Sequence, residues 1–130
     1  MNITNMTLEA DYAVRIVSVM ANENRRLDAG ALSERTGVTL RFTLKIMRKL
    51  VTAGIAKSYK GVSGGYELAK PAGEISLAEV IEAIDGPFQM ARCSGPDECS
   101  NPSTKEFCRF KNEFDRISKM VQKEMEKIKF

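Results

Sequence analysis

The chain contains no histidine and no tryptophan. Without histidine it lacks the side chain that most often serves as a general base near neutral pH and as a metal ligand. It has no apolar run near the ~18 residues that a membrane-spanning helix requires, so no membrane association is expected. Its first residues, MNITNMTLEAD, lack the basic start and apolar stretch of an export signal. The expected location is therefore cytoplasmic. No nucleophile–base pair, carboxylate dyad or phosphate-binding loop stands out, and no enzymatic activity is expected. Cysteine is scarce: Cys93, Cys99 and Cys108 fall in one short window. In a cytoplasmic protein such clustering points to metal or redox chemistry rather than to a disulfide framework. What remains is ordinary for a soluble domain of 130 residues, with 43% hydrophobic and 28% charged residues. The net charge of +3 is small, so any strongly basic surface must be local.

One further absence locates that surface. From Arg35 to Tyr66 there is no Asp or Glu, while Arg35, Arg41, Lys45, Arg48, Lys49, Lys57 and Lys60 are all present. Within this stretch Thr39 is a good N-cap, and Leu40, Leu44, Met47, Leu50 and Val51 recur at helical spacing. Gly54 supplies a left-handed stop. Ile55–Tyr59 then reads as a strand, Gly61–Gly65 as a turn and Tyr66–Ala69 as a returning strand. A basic helix followed at once by a glycine-tipped hairpin has the pattern of a recognition helix and wing. A merely solvated helix face would usually carry both signs of charge. Thr39, Arg41, Phe42 and Lys45 open the helix and are candidates for base readout. Arg48, Lys49 and Lys57 are candidates for phosphate contacts. Lys60, Val62 and Ser63, at the hairpin tip, are candidates for the minor groove.

The neighbouring segments support this. Thr7 can cap a first helix to about Asn24, with Leu8, Tyr12, Ile16 and Val19 on one side and Ala13, Val17 and Met20 widening it. Asp28 can cap a short helix, Ala29 to Thr36, ended by Gly37. That helix and the basic one form a helix-turn-helix. Ser76-x-x-Glu79 is a capping box opening a helix that ends at Gly86–Pro87. Ser103-x-x-Glu106 is a second, opening a long final helix. The expected fold class is mainly α with a small β-hairpin. Residues 1–86 form a winged helix-turn-helix with a supporting helix, 87–102 a cysteine-bearing loop and 103–130 a dimerisation helix.

That last helix carries a stripe of Phe107, Phe110, Phe114, Ile117, Val121, Met125 and Ile128. About 25 helical residues extend ~37 Å, more than a small domain needs to cover itself. A second copy is expected to cover the remainder as a two-fold homodimer, which suits a palindromic DNA site.

The cysteines are spaced C-x5-C-x8-C. Gly95 and Pro96 can fold the loop between the first two, and Cys108 lies near the start of the long helix, off its apolar stripe. Three converging thiolates could hold an iron–sulfur cluster. Arg92, Lys105 and Arg109 would favour the thiolate form. The paired spacing usual for structural zinc is absent. A thiol switch and inert cysteines remain alternatives.

The segments DYAVRIV, KSYKGVSGGYELAKP and SLAEVIEAIDGP, three spaced cysteines and a long final helix together resemble the Rrf-type winged helix-turn-helix transcriptional regulators. The likeness extends over nearly the whole chain and is greatest to the IscR- and NsrR-like, iron–sulfur cluster-binding members. It implies a homodimeric DNA-binding regulator, commonly a repressor, acting on a palindromic promoter in double-stranded DNA and responding to redox, nitric oxide or iron–sulfur status. It also implies that Cys93, Cys99 and Cys108 ligate the cluster. The IscR-like fourth ligand, a histidine, is impossible here. The NsrR-like one, an aspartate donated by the partner's first helix, corresponds to Asp11, with Glu9 as a substitute. A carboxylate ligand favours [4Fe–4S] over [2Fe–2S]. Members that lack a cluster also lack these cysteines. The reading that competes with this one is a thiol-switch or metal-binding regulatory module without a cluster.

Overall fold

Four helices begin where a side chain can accept a hydrogen bond from an amide of the first turn, one of the groups a helix start leaves unpaired. In the computed structural model, which describes residues 6–90 and 105–130 and the side chains of the latter segment from residue 110, α1 (Leu8–Glu23) is capped by Thr7. Its hydroxyl accepts from the Ala10 amide at 3.1 Å and donates to Asp85 at 2.5 Å. The start of α1 is thereby tied to the end of α4. Asp28 caps α2 (Ala29–Thr36) at 2.7 Å, and Thr39 caps α3 (Leu40–Thr52) at 3.3 Å. Ser76 and Glu79 complete the expected capping box of α4 (Leu77–Asp85), with bonds of 3.1 and 3.2 Å. Asn24 ends α1 and Gly37 ends α2 in the left-handed conformation, which lets the chain turn without a Cβ penalty at the glycine.

Between α3 and α4 lies the hairpin. β1 (Ala56–Tyr59) pairs antiparallel with β2 (Gly65–Leu68), in the register Ala56 to Leu68 and Tyr59 to Gly65. A short 3-10 turn (Ala72–Glu74) leads into α4. The core gathers Ile16, Val17 and Met20 of α1, Leu32 of α2, Ile46, Met47 and Leu50 of α3, and Leu27, Ile55, Ile75 and Val80 around them. Burial of each large side chain contributes about 1.5–3 kcal/mol.

Two apolar faces differ from those the spacing predicts. In α1 the innermost positions are Ala10, Ala13, Ile16, Val17 and Met20, while Leu8 is 61% exposed. The alanines allow α4, α2 and α3 to approach the helix closely. In α3 the buried positions are Thr43, Ile46, Met47 and Leu50, and Leu40 and Leu44 stand in solvent. Thr43 can be fully buried because its hydroxyl donates to the Thr39 carbonyl at 2.9 Å. The first turn of α3 thus projects beyond the body of the domain.

The long helix α5 (Lys105–Glu126) lies against α4. Ser118, buried in it, accepts from the Met90 amide at 2.8 Å, and Gln122 donates to the Phe88 carbonyl at 2.6 Å. Beyond it the chain returns to the core. Leu77 donates to Ile128 at 2.8 Å and Phe130 to Ile75 at 3.2 Å. Along the predicted stripe Phe114, Ile117, Val121 and Met125 are half-buried on the chain's own surface, Phe110 is 49% exposed, and Ile128 lies past the helix end. The side chains of Phe107 and Cys108, together with Cys93, Cys99 and the Ser103 cap, lie outside the described residues.

Candidate nucleic-acid interface

The turn between α2 and α3 is fixed by its own hydroxyls. Ser33 donates to the Val38 carbonyl at 2.5 Å, Thr36 donates to Leu32 at 2.7 Å, and the Val38 amide donates to Thr36 at 3.3 Å. Arg15 of α1 adds a bond of 3.3 Å to the Thr36 carbonyl. α3 is therefore held at both its core face and its entry. On the opposite side Thr39, Arg41, Phe42, Lys45 and Arg48 face solvent, and Lys49 is half-exposed. A surface depression of about 340 Å³ is lined by Arg41, Phe42 and Lys45. The edge of Phe42 meets the ring of Tyr12 at 6.0 Å between centroids, which props its side chain against α1.

The basic face is not as free as its composition implies. Glu9, only 17% exposed, sits 3.0 Å from the Lys49 ammonium and 3.8 Å from that of Lys45. An acid from α1 thus neutralises part of a helix that has no acid of its own. Arg41 and Arg48 make no ion pair among the described residues. Lys57, Lys60, Val62 and Ser63 are exposed along the hairpin, with Val62 fully in solvent at its tip. Helix face and hairpin tip are the two surfaces the expected interface needs.

Three residues outside the expected set shape the hairpin. Arg26, between α1 and α2, stacks its guanidinium 3.5 Å from the centre of the Tyr59 ring and donates to the Ser63 carbonyl at 3.1 Å. Tyr59 donates to Glu67 at 2.6 Å, and Glu67 also stands 3.9 Å from Arg26. The bond to the Glu67 carboxylate raises the Tyr59 phenol above its ordinary value; burial and the charge of Glu67 add to this, and Arg26 opposes it. Backbone bonds between Leu27 and Tyr66, at 2.9 and 2.7 Å, join β2 to the body. The Tyr59–Glu67 contact was legible in the alternation of the two strands, which puts both side chains on one face. The role of Arg26 was not, because its partners lie far away along the chain.

Of the expected cluster ligands, Asp11 is on the surface of α1, 47% exposed and paired with Arg15 at 3.2 Å. Glu9 is engaged by the two lysines. Cys108 falls in the first turn of α5. Among the described residues no group of three or more Cys, Asp or Glu side chains converges as a metal site.

The sequence pattern of the Rrf2 family, described as "Iron-dependent Transcriptional regulator", matches residues 6–130. The chain belongs to the Rrf2 family. Rrf2 proteins are transcriptional regulators, not enzymes. Among relatives, a provisionally named HTH-type transcriptional regulator of Mycobacterium tuberculosis is 35% identical over 103 residues, covering 76% of this chain and 64% of that protein. The HTH-type transcriptional regulator IscR of Cronobacter sakazakii is 33% identical over 96 residues, covering 72% and 59%. The matched region is thus under two thirds of either relative's length. The fold is that of T. potens IscR, with a TM-score of 0.71 at 18% identity over 99% of this chain and 82% of the other. It is equally that of CymR, the global cysteine regulator of B. subtilis, with a TM-score of 0.72 at 18% identity over 99% and 92%. The winged-helix fold, which among the described residues comprises five α-helices and one hairpin in this Rrf2 chain, is common to both structures.

Proposed function

We propose that this Rrf2 chain is a cytoplasmic, homodimeric regulator that binds a palindromic promoter site in double-stranded DNA, most simply as a repressor. The observation that carries the reading is the pairing of two surfaces. The solvent face of α3 presents Thr39, Arg41, Phe42, Lys45 and Arg48, and the exposed hairpin tip presents Lys60, Val62 and Ser63. A helix of this width fits the major groove, where Arg41 or Lys45 can donate to guanine, while the wing reaches the adjacent minor groove. Lys49 and Lys57 supply phosphate contacts beside them. The dimer forms through α5, whose half-buried stripe keeps part of each apolar side chain accessible to a second copy.

We further propose that Cys93, Cys99, Cys108 and the partner's Asp11 hold an iron–sulfur cluster, [4Fe–4S] before [2Fe–2S]. The donor set fits: three thiols and a carboxylate, in a chain without histidine. Asp11 lies on the outside of its own subunit, as a residue donated to another must. Bound there, a cluster would supply sensitivity to oxidants, nitric oxide or iron supply. The contribution of the chain itself runs through α1. Asp11 holds Arg15, Arg15 holds the Thr36 carbonyl at the entry to α3, and Glu9 holds Lys45 and Lys49. A change in the hold on Asp11 would therefore bear on the attitude of α3.

Anaerobic purification tests the second half. It should give a brown protein with iron and sulfide, bleached by Cys93→Ala, Cys99→Ala or Cys108→Ala. A colourless protein with freely oxidisable thiols would favour the thiol switch instead. Lys60→Ala tests the first half: it should weaken DNA binding and lower the salt slope by about one. An unchanged slope would remove Lys60 from the interface.

A further inference from the structure

A two-stranded hairpin with four residues per strand is marginal alone in water and takes its orientation from whatever it rests on. Here its strands rest on α3 and α1, and its turn end rests on the connection between α1 and α2. The Leu27–Tyr66 bonds hold the backbone at the start of β2, one residue after Gly65, and leave the turn from Lys60 to Gly64 untouched. Among the described residues, Arg26 is the side chain of the body that bonds to the turn itself, at the Ser63 carbonyl. Its guanidinium spans both strands at once, through the Tyr59 ring at 3.5 Å on β1, the Ser63 carbonyl at 3.1 Å before β2, and Glu67 at 3.9 Å on β2. Gly65 permits this closeness, since a Cβ there would meet the Leu27 carbonyl oxygen at 2.8 Å.

We propose that Arg26 is a positioning residue for the wing: wedged between Tyr59 and Ser63, it fixes the tip at the angle from which Lys60, Val62 and Ser63 enter the minor groove. This rests on the DNA-binding reading given above. Preorganisation is the physical gain. A tip already held in its bound attitude loses less freedom on binding. Arginine is suited to this because its flat fork can stack on a ring and donate in its own plane together, whereas lysine is a point donor on a flexible stem that can do one or the other.

The test uses Arg26→Lys and Arg26→Ala in the full chain, with two readouts. Amide hydrogen exchange is followed at Gly64, whose N–H donates to Gly61 at 2.9 Å within the tip. Affinity is measured over a range of salt for a duplex selected from a random pool by the wild-type protein. Both variants should speed exchange at Gly64 about tenfold, with core amides and melting temperature nearly unchanged, the scale expected for losing a hydrogen bond and a stacked cation. Both should bind the selected duplex about tenfold more weakly with an unaltered salt slope, because no phosphate contact is lost. Unchanged exchange at Gly64 in both variants would overturn the proposal, whatever the DNA result. So would restored affinity in Arg26→Lys together with a slope lower by about one in Arg26→Ala, which would make Arg26 a phosphate contact. Failure of the DNA-binding reading would appear in the wild type alone, as a pool that yields no preferred duplex, while exchange at Gly64 would still decide whether Arg26 holds the tip.

Discussion

Replacing Glu9 by Gln should make the protein less stable and yet a stronger binder of non-specific DNA. The carboxylate is only 17% exposed and lies 3.0 Å from Lys49 and 3.8 Å from Lys45. At an effective dielectric constant of about 20, the nearer pair gains about 5.5 kcal/mol before desolvation. Most of that is cancelled by taking the carboxylate out of water and by solvent around the lysines, which are 36% and 58% exposed. A net contribution of about 1 kcal/mol remains, which in a domain of this size lowers the melting temperature by about 3–5 °C. On DNA the sign reverses. Glu9 competes with phosphates for both lysines, so its neutral isostere leaves two cations uncommitted on α3. Non-specific affinity at low salt should rise about tenfold, and the salt slope should steepen by about two, since each of the two added phosphate contacts releases about 0.9 of a counterion. Differential scanning calorimetry and anisotropy titrations on a scrambled duplex measure both. A variant with wild-type melting temperature and wild-type non-specific affinity would show that the ion pairs have no role in solution.

Gly65→Ala should detach the wing: its φ of +142° and the 2.8 Å approach to the Leu27 carbonyl force the strand outward. The expected outcome is a loss of about 1–3 kcal/mol in stability, read by chemical denaturation, and lost protection of the Tyr66 amide. Glu79 predicts acid sensitivity at the start of α4. Burial pushes its carboxyl up, but the hydrogen bond from Lys70, the bond to the Ser76 amide and the charges of Lys70 and Lys129 outweigh this and hold it below 4.5. A depressed carboxylate stabilises the fold above its unfolded value, and this is lost as pH falls through the folded one. Stability should therefore decline from about pH 4.5 downward, and Glu79→Gln should flatten that part of a pH–stability curve. Charging the α5 stripe and its exposed flank, as in Ile117→Glu with Met120→Glu, should shift the sedimentation coefficient from dimer to monomer at micromolar concentration.

Much of the fold was legible because the signals were local. Thr7, Asp28, Thr39 and Ser76–Glu79 all cap the helices they were expected to cap, and Gly37 ends α2 where a left-handed residue was needed. The faces of α1 and α3 were less legible. Spacing alone put Leu40 and Leu44 inward, yet Thr43 is buried and both leucines are exposed. Periodicity counts apolar residues, and a threonine that satisfies its hydroxyl on its own helix reads as polar while packing as apolar. The candidate site was legible as a run of cations without acids, but the acid that limits them, Glu9, is on another helix. Arg26 was hidden for the same reason. Such contacts are made by the packing of α1 against α3 and the hairpin, which no window of sequence contains.

The most direct test of the central claim is the affinity of the wild-type protein for a duplex selected from a random pool, against a scrambled duplex of equal length and salt. If α3 and the wing read base sequence, the selected duplex should bind at least about 10³-fold more tightly. Equal affinities for the two duplexes would contradict the account.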